Sequence, residues 1–138
     1  MAKTYDENRE HCKGISDKLD LIVSGRMYKC PDCGALVDAY YTGQPCECGC
    51  AMDINEWEEY TLTDFSQEIF DIEYRVDHDR LYRSCRIMVA CGGPNVYIDT
   101  KSGCVELYWW NDFASYTMDS DTVTAIDEYV EDLWNTIW

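Results

Sequence analysis

Long apolar runs and positive charge are the two features that this sequence of 138 residues lacks most clearly. No stretch approaches the roughly 20 apolar residues that would cross a bilayer. The first ten residues, MAKTYDENRE, also lack the apolar segment of a secretory signal. We therefore expect a cytoplasmic protein that has no membrane partner.

Lysine and arginine are scarce in two long regions of the chain. Residues 30–60 contain none against seven Asp and Glu, and residues 92–138 contain one against nine. The formal net charge of the whole chain is −16. Such a chain is repelled by DNA, RNA and anionic lipid and is attracted to basic surfaces. We therefore expect no direct nucleic-acid binding and a basic protein as the partner.

Familiar catalytic patterns are missing as well. The sequence has no phosphate-binding glycine loop, no nucleophile elbow and no HExxH pattern, and its only histidines are His11 and His78. Cys91 precedes two glycines but would need a base, and nothing in the sequence places a histidine beside it. His78, between two aspartates, is interpreted as part of a solvated turn. We expect a binding protein and not an enzyme.

Cysteine, in contrast, is abundant, with nine residues, of which five lie between positions 30 and 50. A reducing compartment favours metal binding or burial over disulfides. The segment Cys30-Pro31-Asp32-Cys33-Gly34 has the form of a zinc knuckle, in which two thiolates converge and the glycine lets backbone amides point at the sulfurs. A second segment, Pro45-Cys46-Glu47-Cys48-Gly49-Cys50, begins shortly afterwards.

The paired knuckles resemble those of zinc ribbons and rubredoxin-like sites, and the resemblance covers only residues 27–52. It implies a structural Zn²⁺ ion bound by four thiolates. The strongest ligand predictions are Cys30, Cys33 and Cys48. In the second knuckle Pro45 stands where the partner cysteine should be, so the fourth ligand is either Cys46 or Cys50. We favour Cys46, because it arrives before the glycine turn, as the ligands of the first knuckle do.

Two other interpretations of these cysteines stay open. They can be free thiols, or they can form a redox pair, although a redox CxxC motif needs a βαβ context that is absent here. Nucleic-acid binding, which is common among zinc ribbons, is disfavoured. Residues 30–60 carry no cation, and a zinc ion with four thiolates adds a formal charge of about −2 of its own.

The pattern of apolar residues predicts an α+β fold. Residues 5–24 show helical spacing, with Thr4 as a possible N-cap and Gly25 as the C′ residue. The cysteine segment predicts a hairpin. Residues 53–62 are interpreted as an acidic, aromatic connector, and residues 63–70 predict a short helix.

Alternating residues dominate the second half of the chain. Apolar and charged residues alternate from Phe70 to Asp77, which predicts a half-buried strand. Later alternating segments and turn residues complete an antiparallel sheet of four to five strands. An apolar stripe over residues 123–137 predicts a C-terminal helix across the sheet. Residues 1–62 are predicted to form a domain with the N-terminal helix and the zinc-ribbon-like module, and residues 63–138 a domain with the sheet and the acidic helix.

The outer face of the predicted C-terminal helix carries acids and no cation. The predicted partner-binding residues are Glu106, Asp112, Asp119, Asp121, Asp127, Glu128, Glu131 and Asp132. Two like-charge pairs four residues apart, Asp127 with Glu131 and Glu128 with Asp132, cost a few tenths of a kcal/mol each. Solubility alone needs less charge and mixed signs. The acids therefore predict a basic partner.

Acidity, size and an α+β layout together resemble the small DNA-mimic inhibitors that phages and mobile elements use against restriction and CRISPR nucleases. A row of carboxylates imitates a DNA strand, which presents about one charge per 3.4 Å. The resemblance implies a non-enzymatic anti-CRISPR or antirestriction inhibitor in a bacterial host cell. Candidate desolvated anchors are Trp57, Tyr108, Trp109 and Trp110. The competing interpretation is a zinc-ribbon protein interaction module of unknown partner.

Overall fold

The computed structural model describes residues 2–137, with side chains from Asp6 onward. These residues form three α-helices and two antiparallel sheets, of three and five strands, so the predicted α+β fold is confirmed. None of these helices is long and apolar enough to span a bilayer.

The chain divides into two compact units. The smaller unit is Lys18–Gln67, and the larger unit combines the chain before Lys18 with the chain from Glu68 onward. The division predicted at residues 1–62 and 63–138 remains a prediction.

The first helix, α1 (Ala2–Val23), begins earlier than predicted, so Thr4 lies inside it and not at its N-cap. Its C-terminal end matches the prediction. The Gly25 amide donates to the carbonyl of Ile22 at 3.2 Å. The Arg26 amide donates to the carbonyl of Leu21 at 2.9 Å. These bonds form a Schellman motif, which needs a left-handed residue, and Gly25 has a φ of 74°.

The smaller unit is built on a three-stranded sheet with the order β2–β1–β3. Its strands are β1 (Met27–Lys29), β2 (Leu36–Asp38) and β3 (Glu58–Glu59). β1 and β2 form a hairpin, and β3 pairs with the other edge of β1, so the residues interpreted as a connector complete this sheet. Trp57, just before β3, is only 7% exposed and packs against Cys30 and Met52. Its predicted role as a surface anchor is therefore wrong.

The helix predicted over residues 63–70 is much shorter than expected. It is a single turn, α2 (Leu62–Phe65), followed by a 3-10 turn at Ser66–Glu68. Thr61 and Asp64 start it with a capping box, in which each side chain accepts a hydrogen bond from the other residue's amide. Only Phe65 of this turn is buried, so no apolar face extends the helix.

The larger unit contains a five-stranded antiparallel meander in the order β4–β5–β6–β7–β8. The strands are β4 (Asp71–Val76), β5 (Tyr82–Ala90), β6 (Asn95–Asp99), β7 (Cys104–Trp109) and β8 (Asp112–Thr117). The core face includes the buried residues Cys85, Ile87, Val96, Ile98, Val105, Leu107 and Ala114. Phe70 and Val76, predicted on this face, are 63% and 38% exposed, because Phe70 precedes the strand and a register shift follows Arg75.

Two helices contact the core face of this sheet. The C-terminal helix, α3 (Ser120–Ile137), places the Trp134 ring 5.2 Å from the Tyr74 ring on β4. The buried residues of α3 are Thr122, Ile126 and Val130. On the first part of α1, the Cys12 thiol donates to the carbonyl of Ala114 at 3.9 Å. The predicted covering of the sheet by the C-terminal helix is confirmed.

Candidate metal centre

Four cysteine sulfurs meet in the smaller unit. The sulfurs of Cys30, Cys33, Cys46 and Cys48 all lie within 4.8 Å of one another. The closest pairs are 3.2 to 3.7 Å apart. Tetrahedral zinc with Zn–S bonds of about 2.3 Å separates its sulfurs by about 3.8 Å. The four sulfurs are therefore placed so that they can hold a metal ion, and they are the set favoured from the sequence.

The first knuckle is the turn that connects β1 to β2. The Cys30 amide donates to the carbonyl of Ala35 at 2.9 Å, and the Gly34 amide donates to the carbonyl of Cys30 at 3.0 Å. Gly34 has a φ of 74°, in the region that L-residues rarely adopt. This turn directs the amides of Cys33 and Ala35 at the sulfurs of Cys30 and Cys33, respectively.

The second knuckle repeats this turn with one residue fewer. The Cys46 amide donates to the carbonyl of Cys50 at 2.8 Å, and the Gly49 amide donates to the carbonyl of Cys46 at 2.9 Å. The amide of Cys50 then donates to the sulfur of Cys48, as the corresponding amide does in the first knuckle. Cys50 therefore corresponds to Ala35, which follows the glycine and contributes no sulfur.

The thiol of Cys50 has a different partner. It donates to a carboxylate oxygen of Asp32 at 2.8 Å. This hydrogen bond raises the pKa of Cys50 to about 11. Because metals bind the thiolate, a thiol kept protonated by a carboxylate is a poor ligand. The geometry thus groups Cys46, and not Cys50, with the other three sulfurs.

Backbone amides around the cluster stabilise the thiolate of Cys30. The amide of Cys33, together with that of Asp32, lowers the pKa of Cys30 to about 6. The amide of Ala35 lowers the pKa of Cys33, but burial and hydrogen bonds to the other thiols outweigh it and raise this pKa to about 12. A thiolate at Cys33 therefore needs a cation beside it, as in a metal site.

One side of the cysteine cluster is buried away from solvent. Cys30 is fully buried and forms a small core with Met52 and Trp57. Cys33 and Cys48 are exposed on the other side. A metal ion at this position would join the two turns beside this small core.

Comparisons of the chain with models of protein families, with curated proteins and with solved structures find no match.

The predicted partner-binding acids lie in different surroundings. The exposed ones are Asp119, Asp121, Glu128, Glu131 and Asp132. Asp127 is half-buried and accepts a hydrogen bond from the Tyr82 hydroxyl at 2.5 Å. Glu106 lies 3.6 Å from the Arg86 guanidinium, and Asp112 is half-buried at the start of β8. Among the predicted acids, the exposed ones are thus Asp119, just before α3, and every acid of α3 except Asp127.

Sequence reasoning missed a buried ion pair on the other face of the five-stranded sheet. The Arg75 guanidinium donates to both carboxylate oxygens of Asp99, at 2.9 and 2.8 Å. The amides of Lys101 and Ser102 donate to the same carboxylate at 2.8 and 3.2 Å. The side chain of Asp99 is only 9% exposed, and Arg75 holds its pKa at about 2. Arg75 lies on β4 and Asp99 lies at the end of β6, and β5 separates the two strands in the sheet. Their pairing therefore depends on the register of three strands.

Proposed function

We propose that this chain is a non-enzymatic inhibitor that docks an acidic surface against the basic nucleic-acid-binding surface of a bacterial defence nuclease, as anti-CRISPR and antirestriction proteins do. The observation that carries the proposal is the outer side of α3. Its exposed acids are Asp121, Glu128, Glu131 and Asp132, and the helix contains no Lys or Arg. Such a surface attracts the arginines and lysines that normally hold phosphates.

The spacing of these acids supports imitation of a DNA strand. Asp121 and Asp132 are eleven positions apart, which is about 16 Å along an α-helix. Four carboxylates fall within this length, whereas one DNA strand presents about five phosphates. The linear charge density of α3 is therefore close to that of a single strand.

The rigid support of these acids also favours binding. The inner side of α3 is anchored by Ile126 and Val130, which are buried, and by the Tyr82 hydroxyl, which donates to Asp127. A preorganised surface loses less conformational entropy when it binds. Repulsion between neighbouring acids is tolerated in the free protein because the apolar side holds the helix in place.

We infer that the metal of the smaller unit is a structural Zn²⁺ ion. Four thiolates in a tetrahedral site leave no position for water, which supports a structural role over a catalytic one. The metal would hold the Cys30 and Cys46 knuckles together over a small core whose buried residues are Cys30, Met52 and Trp57. With its thiolates it would also add a formal charge of about −2 to a segment that has no cation.

Metal removal tests the structural role. A strong chelator at neutral pH is expected to speed amide hydrogen exchange across residues 27–59, while β5, β6 and β7 stay protected. Unchanged exchange in the smaller unit would contradict a structural metal. Elemental analysis of protein purified without added metal is expected to give one zinc per chain, and iron in its place would overturn the assignment to zinc.

Cleavage assays test the inhibitor proposal. A panel of purified CRISPR effector nucleases and restriction enzymes is assayed on target DNA with increasing amounts of this chain. At least one enzyme is expected to be inhibited, and the inhibition should weaken as salt rises and as unlabelled DNA is added in excess. Inhibition that neither salt nor DNA affects would contradict DNA mimicry and would favour an interaction module with another mode of binding. A panel with no inhibited enzyme would overturn the nuclease as target.

A further inference from the structure

The hairpin formed by β7 and β8 ends in two neighbouring indoles. Trp109 at the end of β7 pairs with Asp112 at the start of β8, and Trp110 and Asn111 make the turn between them. Trp109 is 37% exposed and Trp110 is 86% exposed. Their ring centroids are 5.7 Å apart and their planes meet at 73°, so the two rings form an open corner.

The backbone of Trp110 is in a conformation that a bulky residue disfavours. Its φ is 56°, in the left-handed region. Two-residue hairpin turns favour Gly, Asn or Asp at such positions, because these residues adopt positive φ with little strain. The Trp110 ring lies in solvent, so burial within the chain does not compensate for the strain. A binding partner that covers the ring accounts for a tryptophan at this position.

The same sheet already holds one guanidinium between rings and carboxylates. The Cζ atom of Arg86 lies 3.8 Å from the ring centroid of Tyr97 and 5.7 Å from that of Tyr108. Nitrogens of this guanidinium lie 3.6 Å from Glu106 and 3.9 Å from Asp99. A guanidinium is a flat, delocalised cation. It is stabilised by an aromatic ring over its face together with carboxylates at its edge.

The hairpin tip offers the same two components to a partner. Trp109 is paired with Asp112 across the hairpin, and residues 92–138 contain one cation, Lys101, against nine acids. A second copy of this chain would bring the same negative charge, and so would a nucleic acid. A basic protein surface complements both the rings and the acids.

We propose that the corner formed by Trp109 and Trp110 is an arginine-selective docking site for the basic partner. The guanidinium of one partner arginine stacks on an indole face while neighbouring acids pair with its edge. The site rests on the proposed docking to a basic protein and adds a preference for arginine over lysine. The guanidinium is weakly hydrated and planar, whereas the ammonium of lysine is compact and strongly hydrated, so stacking favours arginine.

Two peptide probes of equal length, oligo-arginine and oligo-lysine, test this site on the full chain. Tryptophan fluorescence and calorimetry are expected to show about tenfold tighter binding of oligo-arginine at physiological salt. Trp110→Asn should abolish most of this preference and leave oligo-lysine binding unchanged, and asparagine suits the turn, so the variant should fold. The matched control is Tyr40→Asn, which removes another exposed aromatic ring, and it should keep the preference.

Each outcome separates the arginine site from the proposed function. Equal binding of the two peptides by the unchanged chain would overturn the arginine site but leave docking to a basic partner in place. Failure of both peptides to bind would overturn the docking proposal as well. Persistence of the arginine preference in a folded Trp110→Asn variant, with folding checked by circular dichroism, would show that the corner is not the site.

Discussion

At the scale of single residues, the place of each cysteine relative to a glycine decides what its sulfur can do. The ligand candidates Cys30, Cys33, Cys46 and Cys48 precede Gly34 or Gly49, and their sulfurs converge. Cys50 comes after Gly49, and its thiol donates to Asp32 instead. Two cysteines that differ by only four positions, Cys46 and Cys50, therefore have different chemistry.

Substitution of Cys46 and of Cys50 distinguishes a metal ligand from a cysteine that only lies near the site. Cys46→Ser is expected to lower the bound metal well below one ion per chain and to destabilise the smaller unit, because the site loses one of its four thiolates. Cys50→Ser is expected to keep one ion per chain. Elemental analysis and Co²⁺ titration, followed through thiolate-to-metal absorption, measure both variants. Metal retained by Cys46→Ser but lost from Cys50→Ser would reverse the assignment.

Asp99 gives the larger unit a stability that depends on pH. Arg75 lowers the pKa of Asp99 from 3.8 to about 2, so the folded state prefers the carboxylate. This stabilisation is fully present above about pH 4 and is lost as the pH falls towards about 2. Asp99→Asn is expected to lower the free energy of unfolding by about 2 kcal/mol at neutral pH and to flatten its dependence on pH in this window.

Urea unfolding at several pH values, followed by tryptophan fluorescence, measures the effect of Asp99→Asn. The matched control is Asp121→Asn, which removes an exposed carboxylate and should change the free energy of unfolding by less than about 0.5 kcal/mol. If Asp99→Asn lowers the free energy of unfolding no more than the control does, the ion pair with Arg75 contributes little to stability.

At the scale of elements, side-chain periodicity predicted the structures that bury one continuous face. The alternation after Phe70 predicted β4, and the stripe over residues 123–137 predicted α3. β3 could not be predicted in this way, because its two residues, Glu58 and Glu59, are both exposed and show no period. It is a strand only because the free edge of β1 accepts it.

A glycine inside α1 and a glycine just after its end should respond in opposite directions to the same substitution. Gly14 lies in the helix, and nothing would come within 4 Å of an added Cβ. Gly14→Ala is therefore expected to raise the free energy of unfolding by about 0.5–1 kcal/mol. Gly25 has a φ of 74°, and Gly25→Ala is expected to lower the free energy by about 1–2 kcal/mol. Chemical denaturation measures both, and a stabilising Gly25→Ala would contradict the Schellman motif.

At the scale of the whole molecule, the sequence predicted the cysteine cluster better than its surroundings. A knuckle is local, so the motif around Cys30 and Cys33 indicates convergent sulfurs without knowledge of the fold. The burial of Trp57 depends on packing against Cys30, which is distant in the sequence. The aromatic pattern alone therefore could not separate Trp57 from Trp110, which is exposed.

Charge is also a property of the whole molecule, and it predicts the sign of a partner surface but not its shape. The net charge of −16 and the lack of cations in residues 30–60 point to a basic partner. Which acids meet the partner depends on the fold, because Asp127 and Glu106 are engaged within the larger unit. Of the acids predicted to bind a partner, the exposed ones are Asp119 and four acids of α3.

Neutralisation of the exposed acids of α3 tests whether this surface binds the partner. One variant combines Glu128→Gln, Glu131→Gln and Asp132→Asn, and its matched control combines Asp6→Asn, Glu7→Gln and Glu10→Gln on α1, all at exposed positions. Both variants make the net charge less negative by three. With a nuclease that the unchanged chain inhibits, the half-inhibitory concentration is expected to rise at least about tenfold for the α3 variant and less than about twofold for the control. Equal inhibition by the α3 variant and the unchanged chain would contradict the account.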